Sequence, residues 1–212
     1  MIMQRSLYRV LRLTLLFGLL VASTGHAATR NIVVLGDSIS AAYGMSLEQG
    51  WVHLLARELA QNHPDFSVVN ASISGETSAG GLRRLPKLLA EHNPSVLIIE
   101  LGGNDGLRGY PVGELRNNLR EMTTLAANSG VSVIIVPVAI PPNYGRRYTE
   151  AFSSSFTLVA EETDSALTAM IFDGFAISPE MMQPDGIHPT AAAQSVMLDN
   201  VRPTVITVLE SL

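Results

Sequence analysis

The stretch Val33-Val34-Leu35-Gly36-Asp37-Ser38-Ile39-Ser40 decides how the rest of the chain is interpreted. Its short, β-branched apolar run predicts a buried strand that ends at the glycine. A helical pattern follows from about Gln49, so Ser38 is expected just past the carboxyl end of a strand. Ligands bind at that edge in open α/β sheets. A serine there could be a nucleophile if a base reaches its hydroxyl, or it could simply cap a turn or a helix.

Strand and helix patterns alternate along the remainder of the chain. Further strands are predicted at 66–71, 95–101, 131–136 and 169–172, and helices at 49–61, 82–91, 114–128, 149–168 and from Pro189 onward. Pro203 is expected to kink or split the last helix. This alternation predicts an α/β fold, a three-layer α/β/α sandwich built on a five-stranded parallel sheet with right-handed crossovers. No stretch has the composition of a linker, so we expect one domain over residues 28–212.

The first 27 residues differ from the rest in composition. Three arginines precede an apolar run from Leu13 to Ala22, and Gly25-His26-Ala27 places small residues where a signal peptidase cuts. The pattern predicts a secretory signal peptide at 1–27. A single membrane anchor is the alternative, although the apolar run is short for a membrane span.

Composition and charge limit the possible classes of function. The chain has 47% hydrophobic and 16% charged residues, as a globular protein does, and no cysteine. Disulfides, thiolate metal sites and a cysteine nucleophile are therefore excluded. Loss of the signal peptide would change the net charge from −5 to −8, because three arginines and no acids would leave. Such an acidic, periplasmic or secreted domain is not expected to bind nucleic acid or anionic membrane surfaces.

Four polar segments fall where a predicted strand ends or where the last helix begins. They contain Ser38, Gly75 in 73–77, Asn104 in 102–105, and the pair Asp185 and His188 in 185–189. In a parallel sheet all four reach the same edge. Acyl transfer needs a nucleophile, a base held in one tautomer and donors for the oxyanion. Ser38 and His188 offer the first two, Asp185 could orient the histidine, and the donors could be the backbone N–H of Ser38, that of Gly75 and the Asn104 amide.

Other interpretations of these residues remain open at this point. Asp185 and His188 could be metal ligands, although no third ligand is evident. His188 could be a helix cap, and 102–104 could be only a turn. Asp37 and Asp105 are expected to be structural, holding the loops of Ser38 and Asn104. The Gly-x-Ser-x-Gly pentapeptide of the α/β-hydrolase elbow is absent, which disfavours that plan.

Taken together, the four segments resemble the SGNH, or GDSL, hydrolase family in order and approximate spacing. Gly36-Asp37-Ser38-Ile39 resembles the family's Gly-Asp-Ser-Leu block, with isoleucine in place of the usual leucine. The resemblance implies a flavodoxin-like SGNH hydrolase fold that needs no metal or organic cofactor. It also implies roles for five residues: Ser38 as nucleophile, Asp185 and His188 as the rest of a triad, and Ser38, Gly75 and Asn104 as oxyanion donors.

The sequence of residues 102–109 is most similar to a bacterial periplasmic branch of that family, whose members hydrolyse oxygen esters and thioesters of acyl chains. We expect the same activity here, in a monomer without a stable membrane anchor after processing. Six residues are candidates for an apolar substrate wall: Leu107, Tyr110, Ile140, Pro141, Pro142 and Tyr144. The alternatives are a carbohydrate acetylesterase with the same mechanism and a periplasmic binding protein with an inactive site.

Overall fold

The computed structural model describes residues 29–175 and 178–212, and the predicted signal peptide at 1–27 lies outside these ranges. Five described strands form one parallel sheet in the order β2-β1-β3-β4-β5. They are β1 (Arg30–Gly36), β2 (Phe66–Asn70), β3 (Pro94–Glu100), β4 (Ser132–Ile135) and β5 (Ala166–Leu167). The predicted five-stranded parallel sheet is confirmed.

Helices cover both faces of the sheet. They are α1 (Trp51–Asn62), α2 (Ser78–His92), α3 (Gly103–Leu107), α4 (Val112–Asn128), α5 (Arg146–Thr163) and α6 (Gln194–Glu210). The chain reverses its direction across the sheet after β2, and right-handed crossovers therefore put α1 and α2 on opposite faces. Accordingly α1 packs against α6, while α4 packs against both α2 and α5. The predicted three-layer sandwich is confirmed.

The core lies on the two central strands. Residues 32–35 of β1 and 96–99 of β3 have no exposed surface. Strands that are covered on both faces consist of continuous apolar runs, and these two runs were the clearest strand signals in the sequence. Their carboxyl ends, Gly36 and Glu100, lie side by side in the sheet, so the loops that follow them leave from one place.

The predicted fifth strand at 169–172 is wrong. The strand is Ala166–Leu167, and residues 171–175 form turns. Asp164 is the reason for the shift, because it adopts a left-handed conformation (φ 52°) and ends α5 at Thr163, five residues earlier than predicted. Ile171 and Phe172 are nevertheless buried, which explains why their apolar run had the pattern of a strand.

Several helix boundaries also differ from the predicted ones. The helix α2 begins at Ser78, capped by the Thr77 side chain, and it includes Pro86. The loop at 102–113 contains α3, and the last helix begins at Gln194 and continues through Pro203. Glycine and proline lower helix propensity in short windows, but tertiary packing keeps these segments helical.

Candidate active site

Ser38 lies immediately after β1, in a turn at the carboxyl edge of the sheet. The backbone before it is tightly packed. A Cβ atom on Gly36 would lie 2.7 Å from the Cβ and Oγ atoms of Ser40 and 2.8 Å from Ser72 Oγ. Glycine at position 36 therefore allows the chain to turn directly off the strand, which leaves Ser38 half-buried at the bottom of a cleft.

The structure brings Ser38, His188 and Asp185 together in one hydrogen-bonded line. His188 Nε2 lies 3.0 Å from Ser38 Oγ, although the two residues are 150 positions apart in the chain. His188 Nδ1 lies 2.7 Å from Asp185 Oδ2. A carboxylate on Nδ1 favours the tautomer with its proton on that nitrogen, so Nε2 is assigned as the acceptor of the Ser38 proton.

A compact loop holds the acid and the histidine in this geometry. Its two arms pair antiparallel through Met182 and Pro189. At its tip Asp185 Oδ1 accepts the backbone N–H groups of Ile187 (2.9 Å) and His188 (3.0 Å). Desolvation raises the pKa of Asp185, but the hydrogen bonds from His188 and Ile187 outweigh it and lower that pKa to about 2. The carboxylate is therefore ionised throughout the neutral range.

The backbone groups that were predicted to donate to an oxyanion are the N–H groups of Ser38 and Gly75. Neither the Ser38 nor the Gly75 backbone N–H donates a hydrogen bond to another described residue. Gly75 has a left-handed conformation (φ 81°), and its carbonyl accepts a hydrogen bond of 3.1 Å from Arg108 Nη2. Unsatisfied backbone N–H groups are uncommon, so these two are candidate donors to a developing negative charge.

The Asn104 amide is more constrained than the sequence predicts. It lines the cleft with Ser38, but its Nδ2 donates to Asp37 Oδ2 and to the Glu76 carbonyl, both at 3.0 Å. Both acceptors are oxygens, which fixes Nδ2, and not Oδ1, on this side. An oxyanion would therefore have to share or displace one of these two hydrogen bonds.

Three carboxyl groups are buried where β1 and β3 end. Asp37 accepts the Ile39 N–H (3.0 Å), and Asp105 accepts both the N–H and the hydroxyl of Ser78 (2.8 and 2.6 Å). Glu100 has no exposed surface, and its Oε2 accepts the Ser40 hydroxyl at 2.7 Å. Sequence reasoning assigned structural roles to both aspartates but missed Glu100, whose signal was an acidic residue within an apolar strand.

Burial dominates the ionisation of two of these acids. Desolvation raises the pKa of Asp37 to about 6, against the opposing effects of hydrogen bonds from Ile39 and Asn104 and of the nearby His188. Desolvation and the charge of Asp37 raise the pKa of Glu100 well above its ordinary range, and hydrogen bonds from Ser40 and the Asp37 backbone offset this only in part. Like charges in a shared site cannot both ionise easily, so Glu100 keeps its proton when Asp37 is ionised.

An apolar cavity of about 450 Å³ opens beside Ser38 and His188. Its apolar walls come from the loops after β1, β3, β4 and β5 and from the histidine loop: Ile39, Leu107, Val138, Ala139, Ile140, Pro141, Pro142, Phe172, Met182 and Ile187. Four of the six predicted wall residues are among them, namely Leu107, Ile140, Pro141 and Pro142. Phe172 was missed because its apolar run predicted a strand, and Met182 and Ile187 were missed because they lie in a segment without regular periodicity.

The two predicted tyrosines lie outside the cavity lining. The Tyr144 hydroxyl donates to the Leu107 carbonyl at 2.7 Å, so it supports the wall from behind. Tyr110 is 42% exposed, and its carbonyl accepts a hydrogen bond from the Tyr148 hydroxyl. Both tyrosines therefore belong to the structure that holds the loop of Leu107.

Neither a metal site nor a membrane-spanning helix is found among the described residues. No group of three or more His, Cys, Asp or Glu side chains in residues 29–175 and 178–212 could hold a metal ion. In the same part of the chain, every helix is too short or too polar to cross a membrane.

Known proteins match the chain over most of its length. The sequence profile of the GDSL-like Lipase/Acylhydrolase family matches residues 34–196. Esterase TesA of Pseudomonas aeruginosa is 51% identical over 186 residues, which are 88% of this chain and 92% of that protein. Thioesterase 1/protease 1/lysophospholipase L1 of Escherichia coli is 41% identical over 191 residues, with 90% of each protein covered.

A solved structure agrees with both the sequence matches and the fold. The crystal structure of the psychrotrophic esterase EstA from Pseudoalteromonas sp., inhibited by monoethylphosphonate, has a TM-score of 0.81 and 40% identity, covering 85% of this chain and 99% of that one. The family profile spans all four polar segments around the cleft. The chain therefore belongs to the GDSL-like lipase/acylhydrolase family and is an ester-hydrolysing enzyme.

Proposed function

We propose that the protein is an exported serine hydrolase that cleaves oxygen esters and thioesters of acyl chains through a covalent acyl-enzyme. The observation that carries this proposal is the line from Ser38 Oγ through His188 to Asp185, with distances of 3.0 and 2.7 Å. It is the arrangement that nucleophilic acyl transfer requires. The line also opens directly into an apolar cavity.

In the first half of the reaction, Ser38 Oγ attacks the carbonyl carbon while His188 Nε2 takes the hydroxyl proton. Ionised Asp185 holds the ring in the required tautomer and stabilises the imidazolium that forms. His188 then gives the proton to the departing alcohol or thiol, which leaves the acyl group on Ser38. In the second half, water repeats the attack with the same proton transfer and releases the acid.

The negative charge on the tetrahedral oxygen needs donors that are already in place. The backbone N–H groups of Ser38 and Gly75 are suited to this role because they donate to no other described residue. Asn104 Nδ2 is the third candidate, and it would exchange one of its present hydrogen bonds for one to the oxyanion. Such preorganised donors contribute most when charge develops in the transition state.

The cavity favours an acyl chain as the group that is bound. Aliphatic, proline and phenylalanine side chains dominate its walls, and apolar area removed from water contributes about 25 cal/mol per Å². Relatives named esterase TesA and thioesterase 1/protease 1/lysophospholipase L1 support both oxygen esters and thioesters as substrates. A carbohydrate acetylesterase would need a more polar wall than this one.

Export depends on the segment at 1–27, whose composition is that of a signal peptide. If the proposal holds, the protein purified from the periplasm or the medium begins at Ala28. Amino-terminal sequencing tests this, and an intact amino terminus on membrane-bound protein would favour an anchor instead. Gel filtration of the processed protein tests the expected monomer.

A fluorophosphonate probe tests the reaction class and the nucleophile together. The probe reacts with activated serines, and peptide mapping should place the label on Ser38. Ser38→Ala should abolish labelling and ester hydrolysis while the melting temperature stays close to that of the wild type. Ser154→Ala, at an exposed serine on α5, is the matched control and should remain active. A label on Ser40 or Ser74, or an active Ser38→Ala, would contradict the assignment.

A further inference from the structure

An exposed aromatic ring packs against the imidazole of His188. The ring centroids of Tyr43 and His188 are 4.3 Å apart, and the ring planes are tilted by 36°. Tyr43 is 49% exposed, so core packing does not account for its position. An aromatic face at this distance attracts a cation and discriminates between the neutral and the protonated states of an imidazole.

The backbone is strained where it brings Tyr43 to this place. Ala42 has a φ of 56°, a left-handed conformation that side chains with a Cβ atom adopt at a cost in free energy. The turn is closed by the Tyr43 N–H, which donates to the Ser38 carbonyl at 3.1 Å. Strain of this kind persists where the surrounding structure enforces it, often at functional sites.

One amide group ties this turn to the loop of the histidine. Gln183 Nε2 donates to the Tyr43 carbonyl at 2.9 Å and to the Pro189 carbonyl at 3.0 Å. The Gln183 backbone N–H also donates to the His188 carbonyl at 2.7 Å. A Cβ atom on Gly44 would lie 2.5 Å from Gln183 Oε1, so the glycine allows the amide to approach. Gln183 therefore links the segment after Ser38 with the segment around His188.

We infer that Tyr43, held by Gln183, is a positioning residue that keeps the His188 ring between Ser38 and Asp185 and stabilises its protonated form. This inference rests on the proposed role of His188 as the base. When the Ser38 proton moves to Nε2, the positive ring lies against the tyrosine face. Asp185 on its own loop and Asp37 after β1 are the charged groups that act on the same ring.

Substitutions at Tyr43 separate ring stacking from general packing. Tyr43→Phe keeps the aromatic face, whereas Tyr43→Leu keeps apolar bulk without it. With 4-nitrophenyl acetate, Tyr43→Leu should lower kcat by about two- to fivefold at unchanged KM, from the loss of a cation–π contact at an exposed site. Protonation of His188 then needs a lower pH, so the acidic limb of the kcat/KM profile should move down by about 0.4–0.7 pH units. The kcat of Tyr43→Phe should stay within twofold of the wild-type value. The same is expected of the control Leu47→Ala, which changes another exposed residue on the same segment.

The Gln183 contact is tested by a double-mutant cycle. If Gln183 acts through Tyr43, Gln183→Ala should lower kcat. The kcat of the double variant, Gln183→Ala with Tyr43→Leu, should then be no lower than that of the more impaired single variant. If the losses of kcat in the two single variants multiply in the double variant, Gln183 acts by another route, and that part of the inference is overturned. The role of the ring would be overturned if Tyr43→Leu and Tyr43→Phe had the same kcat and the same acidic limb in their kcat/KM profiles. A rise in KM alone would do the same, since it would make Tyr43 a substrate contact.

The ionisation of His188 in the free enzyme tests the role of Tyr43 separately from the identity of the nucleophile. The protonated fraction of His188 at pH 6 can be followed by NMR in the enzyme without substrate, and it should fall in Tyr43→Leu but not in Tyr43→Phe. That measurement does not require Ser38 to be the nucleophile. The proposed function, by contrast, fails if Ser38→Ala retains ester hydrolysis, whatever the state of the ring.

Discussion

Replacing Glu100 with glutamine should change how the stability of the protein depends on pH. The carboxyl group has no exposed surface, and one of its oxygens, Oε1, has no hydrogen-bond partner among the described residues. Its other oxygen accepts the Ser40 hydroxyl, which a glutamine carbonyl can also do. The substitution therefore keeps the shape and the Ser40 contact but removes the proton that the buried acid must hold.

The expected magnitude follows from proton linkage. Burial raises the pKa of Glu100 in the folded protein well above 4.5, its ordinary value. Above pH 4.5 the unfolded chain releases the Glu100 proton, whereas the folded chain keeps it. The free energy of unfolding of the wild type therefore falls by up to ~1.4 kcal/mol per pH unit because of Glu100. This loss accumulates over the pH range in which the folded carboxyl keeps its proton, and Glu100→Gln should not show it. Asp37 has a folded pKa of about 6. It therefore also lowers the free energy of unfolding as the pH rises to that value, and it does so in both proteins.

Urea unfolding at a series of pH values measures this difference. Trp51 is the single tryptophan and is fully buried, so its fluorescence reports the loss of the core. The two proteins should have similar stabilities near pH 4.5, and Glu100→Gln should be the more stable by pH 6.5. Glu121→Gln, at an exposed carboxylate on α4, controls for the loss of one negative charge. Parallel stability curves for Glu100→Gln and the wild type would refute the reasoning that burial keeps Glu100 protonated.

Three further predictions concern the cleft itself. Asn104→Ala should lower kcat by about 10²–10³ with little change in KM if the amide donates to the oxyanion, and near-normal kcat in Asn104→Asp at neutral pH would argue against that role. Gly75→Ala should fold, because the space around its Cβ position is nearly open, but its φ of 81° makes alanine unfavourable by ~1–2 kcal/mol. The Gly75 N–H should therefore shift and kcat should fall, so an unchanged kcat would exclude this N–H as a donor. Leu107→Ala should weaken hydrolysis of long-chain 4-nitrophenyl esters more than that of the acetate, since each buried methylene contributes up to ~0.8 kcal/mol; equal losses would mean that the loop supports catalysis without contacting the chain.

Local sequence patterns were sufficient for much of the fold. The apolar runs of β1 and β3 are continuous because both faces of a central parallel strand are covered, and the alternation with amphipathic helices predicts the layered sheet. The same topology predicts that Ser38 and His188 meet at one edge, because the carboxyl ends of parallel strands all point the same way. The 3.0 Å between Ser38 Oγ and His188 Nε2 agrees with that expectation.

Tertiary structure decided the features that depend on what a residue packs against. Phe172 is buried in a turn that lines the cavity, and from its apolar run alone it was indistinguishable from a strand residue. The contacts of Asn104 with Asp37 and Glu76, and those of Tyr43 with His188 and Gln183, join segments that share no periodicity. The pattern of apolar residues along the chain shows how much apolar surface a segment must bury, because this surface depends only on the side chains of that segment. The partner that buries it, and the resulting protonation of an acid such as Glu100, depend on chain segments far apart in sequence and are fixed only when the sheet and its loops close around them.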